Sequence, residues 1–108
     1  MDFKTIINRV VEVRQKYAQL EKKNFGRSWT REEIALGLAG DVGDLMKLIL
    51  AKEGVRKIEN VDEKFEHELM DCLWSVIVIA NEYRVDIEKA LIEKMAELEQ
   101  GIERKLQA

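Results

Sequence analysis

The chain has no proline, one cysteine, one histidine and few aromatics, with two Trp, two Tyr and three Phe among 108 residues. Each shortage excludes something. With Cys72 alone there is no intramolecular disulfide and no cysteine-based zinc cage, and the cytoplasm is the natural compartment for such a chain. With His67 alone, histidine-rich metal sites are excluded, and its neighbours Glu66 and Glu68 place it on a polar shoulder where exposure is expected. There is no basic excess: the formal charge is −3, which argues against broad binding to a nucleic-acid polymer. Long hydrophobic runs are missing too. The longest near-apolar stretch, Cys72 to Ala80, is far short of the roughly 20 residues that span a bilayer, and Met1 to Lys4 leads directly into an amphipathic segment, so neither a membrane partner nor a targeting signal is expected.

What remains is 46% apolar and 36% charged residues, the composition of a compact helical protein and not of a disordered one. Residues 1–108 fit a single domain, small enough that an oligomer interface would add useful burial. Apolar residues Phe3, Ile6, Ile7, Val10, Val13, Tyr17 and Leu20 recur at helical spacing and predict a helix from Phe3 to about Lys23. Thr30 with Glu33 forms a capping-box pattern that starts a second helix, running from Arg31 to about Lys52 and closed by Gly54. Asp62 is the expected cap of a third helix that ends near Tyr83. Its middle is apolar nearly all round, the mark of a helix covered on several sides. Asp86 can cap a fourth, with its stripe at Ile87, Ala90, Leu91, Met95, Leu98, Ile102 and Leu106. The expected fold class is all-α, an antiparallel four-helix bundle.

Two acidic pairs interrupt this apolar pattern. Asp41 and Asp44 are, with Lys47, the only charges between Ile34 and Leu50, and Asp71 is the only charge between Leu69 and Asn81, with Glu68 just before it. Spacing i, i+3 puts both carboxylates of a pair on one helical face. Glu59/Asp62 and Glu63/Glu66 have the same spacing, but they lie in a polar stretch where capping and solvation account for them. A carboxylate placed where burial is expected costs several kcal/mol unless compensated. Two compensations are open: an ion-pair network at the rim of the bundle, or a Mg²⁺ site, since Mg²⁺ prefers carboxylate and phosphate oxygens. Gly37, Gly40 and Gly43 clear bulk from the same helix, which suits close approach by a neighbouring helix or by a ligand.

The segment Leu38-Ala39-Gly40-Asp41-Val42-Gly43-Asp44-Leu45, followed by Glu68-Leu69-Met70-Asp71-Cys72-Leu73-Trp74, resembles the all-α MazG-like nucleotide pyrophosphohydrolases, and the resemblance extends over roughly residues 29 to 95. It implies a bundle completed by dimerisation or tetramerisation. It also implies Mg²⁺, with Mn²⁺ as a substitute, held by Asp41, Asp44, Glu68 and Asp71, and cleavage of a nucleoside triphosphate to monophosphate and pyrophosphate. The family usually carries glutamates in the first pair; the aspartates here are shorter by one methylene. Asn81 resembles an asparagine often found at this place and is a candidate for sugar or phosphate contact. Lys47, Lys52, Arg84 and Lys89 are candidate phosphate partners against the alternative of solvated surface cations. Trp29 is a candidate for stacking on a base, against a role as a core or staple residue. Trp74 reads as core or interface, and Cys72 as a small apolar residue and not a nucleophile. Three further readings stand beside the leading one: a weakly active or inactive relative that binds nucleotide or metal, a structural helical-bundle interaction protein, and cleavage of phosphoribosyl-ATP.

Overall fold

The computed structural model describes residues 1–108, which form four helices and no strands: α1 (Phe3–Phe25), α2 (Arg31–Lys52), α3 (Val61–Glu82) and α4 (Ile87–Gln107). Local chemistry sets most of the boundaries. At the start of α1, Asp2 accepts from the Thr5 N–H, and at its end Gly26 takes φ +82° and donates to the Lys22 carbonyl. Thr30 and Glu33 exchange both bonds of the capping box, and Glu33 also receives the Arg27 guanidinium at 2.6 Å. Arg27 above all, then the Thr30 N–H, pulls the Glu33 carboxyl down to about 2. Asp86 caps α4 through the Lys89 N–H.

The third helix departs from expectation at its start. It begins at Val61, one residue ahead of Asp62, and its N-cap is Asn60 in the left-handed region at φ 54° with no side-chain cap bond. Asp62 lies inside the first turn and pairs with Lys52 at the end of α2. Asp62 therefore does not cap the helix; it stands in the first turn, where its charge suits the positive end of the helix.

Helices α2 and α3 form an antiparallel pair. Lys52 near the end of α2 meets Asp62 at the start of α3, while Arg31 at the start of α2 meets Glu82 at the end of α3, at 3.5 Å. Lys52 also sits over the Phe65 ring and Arg31 over the Tyr83 ring, each at 5.2 Å. Ile34, Leu48, Ile77 and Val78 are the buried apolar residues, and all four belong to these two helices. Helix α1 rests on α3 through an edge-to-face contact of Tyr17 with Trp74, ring centres 6.1 Å apart. A buried ion pair within α1, Arg14 to Glu21 at 2.7 Å, ties down the next loop, because Glu21 also accepts the Trp29 N–H at 2.9 Å. Helix α4 touches α3 over a short stretch, and its stripe of Leu91, Met95, Leu98, Ile102 and Leu106 is exposed.

Within one chain, therefore, the bundle is open. Helix α3 is not covered on several sides: Ser75, Ile77 and Val78 are buried, but Leu73 and Val76 are 48% and 44% exposed. The radius of gyration is 17.5 Å, against about 13 Å for a compact globule of this length. The surface is 8706 Å², where a compact protein of 12.6 kDa has roughly 6,200 Å². No helix is long and apolar enough to cross a membrane.

Because Ile77 is 2% exposed, Ile77→Ala is expected to lower stability by about 2–5 kcal/mol in denaturant unfolding at fixed protein concentration. A loss under about 1 kcal/mol would contradict this account of where the core lies.

Candidate functional site

Antiparallel pairing brings the two acidic pairs face to face in the middle of α2 and α3. One carboxylate oxygen from each of Asp41, Asp44 and Glu68 lies within 4.8 Å of the others. Ligand atoms of His67, Glu68 and Asp71 form a second group of the same span, so Glu68 joins the two. The shorter aspartates of α2 thus reach Glu68 of α3. Their glycine neighbours are not what lets the two helices approach, since a Cβ added at Gly37, Gly40 or Gly43 would meet nothing within 4 Å.

Electrostatically the cluster is strained. Burial, reinforced by the charges of Asp71 and Asp44, raises the Asp41 carboxyl above its ordinary value. Burial, then Asp41, Asp71 and Asp44, raises Glu68 likewise. Glu68 Oε2 is shut off from solvent and has no hydrogen-bond partner. A buried anionic oxygen of this kind, among three further carboxylates, is an uncompensated charge. Compensation from neighbouring side chains is modest: Lys47 Nζ stands 3.9 Å from Asp44 Oδ1 with both side chains more than half exposed, and the His67 imidazole Nε2 is 3.1 Å from Asp71 Oδ2. The rim network anticipated from sequence as an alternative is therefore thin at this cluster. Burial first, then Asp41, Glu68 and Asp71, pushes the Cys72 thiol up, against any nucleophilic role.

The cluster separates two clefts. The larger, about 650 Å³, lies between α1 and the α2–α3 pair, with Asp41 and Asp71 on its edge and Tyr17, Phe25, Trp29 and Trp74 among its walls. Arg14 and Glu21 also line it, so the bond from the Trp29 N–H to Glu21 fixes one wall. The smaller, about 370 Å³, is lined by Asp44, Glu68 and His67 together with Lys47 and Lys64.

Of the residues singled out from sequence, Asp41, Asp44, Glu68 and Asp71 come together, Trp29 stands in the larger cleft and Lys47 in the smaller. Asn81 and Lys89 line neither cleft. Both are exposed, Asn81 ten residues past Asp71 and so about 15 Å further along α3, and Lys89 in the first turn of α4. Lys52 is committed to Asp62, and Arg84 follows α3 with φ 58°. Lys64 went unnoticed in the sequence, having no signal there beyond being one lysine among several. His67 was read as an exposed residue on a polar shoulder; it is exposed, yet its i, i+4 relation to Asp71 sets it against the acidic cluster.

No family model, no curated protein and no solved structure matches this chain.

The strained carboxylates set the pH dependence of the metal-free protein. Raised folded values mean that the folded state holds protons more tightly than the unfolded one. The penalty is therefore complete above the folded pKa and relieved as pH falls through it toward the ordinary values of 3.8 and 4.5 for Asp41 and Glu68. In EDTA at pH 7, Asp41→Asn and Glu68→Gln should each raise Tm, with the gain shrinking on acidification. Thermal melts from pH 7 to 4.5 check this; a lower Tm for both variants at pH 7 would contradict it.

Proposed function

We propose that the protein is a Mg²⁺-dependent nucleoside triphosphate pyrophosphohydrolase working as a homo-oligomer, in keeping with its resemblance to the MazG-like enzymes. One observation carries the reading: Glu68 Oε2, buried and unpartnered amid the carboxylates of Asp41, Asp44 and Asp71. An all-oxygen donor set with an orphaned anionic atom suits a hard divalent cation. Asp41, Asp44, Glu68 and Asp71 are the residues that would hold Mg²⁺, with Mn²⁺ as a substitute.

The two clefts suggest how a nucleotide lies. Aromatic walls at Trp29, Tyr17 and Trp74 suit a flat base, whereas Lys47 and Lys64 suit phosphate oxygens, so the base would enter the larger cleft and the phosphates would cross the cluster toward the smaller. The chemistry supplied by a bound Mg²⁺ is neutralisation of phosphate charge and acidification of water. Asp41 or Asp44 accepts the proton of the attacking water, whose oxygen bonds to the α-phosphorus while the bond from that phosphorus to the bridging oxygen breaks and pyrophosphate leaves. The lysines hold the departing charge. The aromatic walls fix the nucleoside so that the α-phosphorus stays over the carboxylates.

Oligomerisation rests on area. The chain exposes about 2,500 Å² more than a compact protein of its mass, an excess on the scale of an obligate interface, and the excess is apolar: Leu36 is 72% exposed and Val42, Met46, Leu50, Leu73 and Val76 accompany it. A second copy covering these residues would close the bundle.

The activity is tested by pyrophosphate release from canonical and modified nucleoside triphosphates with Mg²⁺. Asp71→Asn should cost about a hundredfold in kcat/KM, or about 2.7 kcal/mol. No release on any nucleotide would move the reading to a relative that binds nucleotide or metal without turning it over. Sedimentation equilibrium tests the assembly: a dimer or tetramer is expected, with Leu36→Glu shifting it toward monomer, and a natural chain that sediments as monomer at micromolar concentration would contradict it.

A further inference from the structure

We propose that His67 supplies a nitrogen ligand to a second divalent-cation position, built with Glu68 and Asp71 beside the all-oxygen position of Asp41, Asp44 and Glu68. The inference rests on the reading of the carboxylate cluster as cation-binding, and adds to it a residue, a second position and a metal preference.

Geometry leads. Ligand atoms of His67, Glu68 and Asp71 lie within 4.8 Å of one another. An octahedral ion with bonds near 2.1 Å holds its ligand atoms about 3 Å apart when adjacent and about 4.2 Å apart when opposite, so small side-chain adjustments close the group on an ion. His67 Nε2 already stands 3.1 Å from Asp71 Oδ2, at the i, i+4 spacing by which one helical face presents two metal ligands. Glu68 belongs to both groups, and its Oε2 is buried with no partner. A carboxylate placed between two positions has an oxygen for each. His67 itself is 73% exposed, so its side of the cluster keeps open coordination places for water or phosphate.

Charge points the same way. Asp41, Asp44, Glu68 and Asp71 together carry four negative charges when ionised, and one dication compensates half of them. Lys47 contributes through a single exposed contact to Asp44. A second dication completes the compensation where the carboxylates are most crowded.

The two positions would differ in character. Carboxylate oxygens alone suit Mg²⁺, whereas an imidazole nitrogen raises affinity along the series from Mn²⁺ through Co²⁺. The His67 position therefore prefers Mn²⁺ or Co²⁺ to Mg²⁺, while the oxygen position accepts Mg²⁺. The competing account is that His67 and Asp71 form only an i, i+4 side-chain contact on the helix surface.

The experiment compares the natural protein with His67→Gln, a substitution at an exposed helical site that circular dichroism verifies as folded. Mn²⁺ is added without nucleotide and the bound ion is examined by pulsed electron paramagnetic resonance for nitrogen hyperfine coupling; Co²⁺ and Mg²⁺ are titrated calorimetrically. The expected result is a nitrogen coupling in the natural protein that vanishes in the variant. With it should come a Co²⁺ affinity about tenfold or more weaker, since even outer partners of a metal ligand are worth that much, and a Mg²⁺ affinity changed less than about twofold. Bound Mn²⁺ without nitrogen coupling, or an unchanged Co²⁺ affinity in His67→Gln, overturns the role of His67 and leaves the oxygen position standing. Failure of Mn²⁺ to bind at all overturns both.

Discussion

The antiparallel pairing of α2 with α3 is the constraint on which the rest of the structure depends. It contains all four buried apolar residues, it sets α1 against Trp74, and it alone turns two separate acidic motifs into one cluster. Its register is held at both ends by charge, Arg31 with Glu82 and Lys52 with Asp62. Exposed pairs of this kind contribute little energy each. Their value here is in direction and alignment, because a slip of one helical turn, about 5.4 Å, would carry at least one of Asp41 and Asp44 away from Glu68 and undo the three-carboxylate group. Burial of Ile34, Leu48, Ile77 and Val78 supplies the adhesion, and the terminal ion pairs select the alignment.

That alignment works against the stability of the protein that carries it. Asp41 and Glu68 are held where desolvation and neighbouring carboxylates both disfavour the ionised form, and Glu68 Oε2 has no donor. Most buried polar atoms in folded proteins are satisfied, and a protein under selection for stability alone would replace Glu68. Contrast the more deeply buried Arg14–Glu21 pair, in which the carboxylate accepts two guanidinium bonds and a backbone N–H and its pKa is lowered. The same fold therefore contains one carboxylate, Glu21 on the larger cleft, matched by donors, and another, Glu68 on the smaller, with an oxygen left without one. On the cation-binding reading proposed above, Glu68 is the carboxylate that a positive ligand would satisfy.

How much of this was legible in the sequence depends on the range of the interaction concerned. Features set within one turn of helix were plain: Thr30 and Glu33 in the capping box, Asp86 as the cap of α4, and Gly54 just after α2. Asp62 was read as the cap, but the helix starts one residue earlier from Asn60 in the left-handed region, a backbone choice that the side-chain pattern does not show, and the pairing of Asp62 with Lys52 across the hairpin leaves no local trace either. The apolar circumference of α3 was read as multiple coverage. In one chain it is half open, since periodicity reports that a face must be covered and does not report by which molecule. The four carboxylates stood out because charge was scarce around them. His67 did not, because it sits among other charges, where a ligand and a solvated side chain look alike in sequence.

The open faces and the acidic cluster lie on the same two helices, and this links assembly to chemistry. In the oligomer proposed above, a partner covering Leu73 and Val76 would press on α3 close to Asp71, and one covering Val42 and Met46 would press on α2 on either side of Asp44. Carboxylates that repel one another tend to spread, and the α2–α3 pair alone has only four buried apolar residues with which to oppose them. A partner clamped over both helices would add opposing adhesion at the place where repulsion acts. Cations drawing the carboxylates together would in turn favour the helix spacing that the partner requires. Each would then lower the work needed for the other, which is the thermodynamic meaning of coupling between a binding site and an interface. The open, extended form of the single chain is the expected state of a hairpin that lacks both.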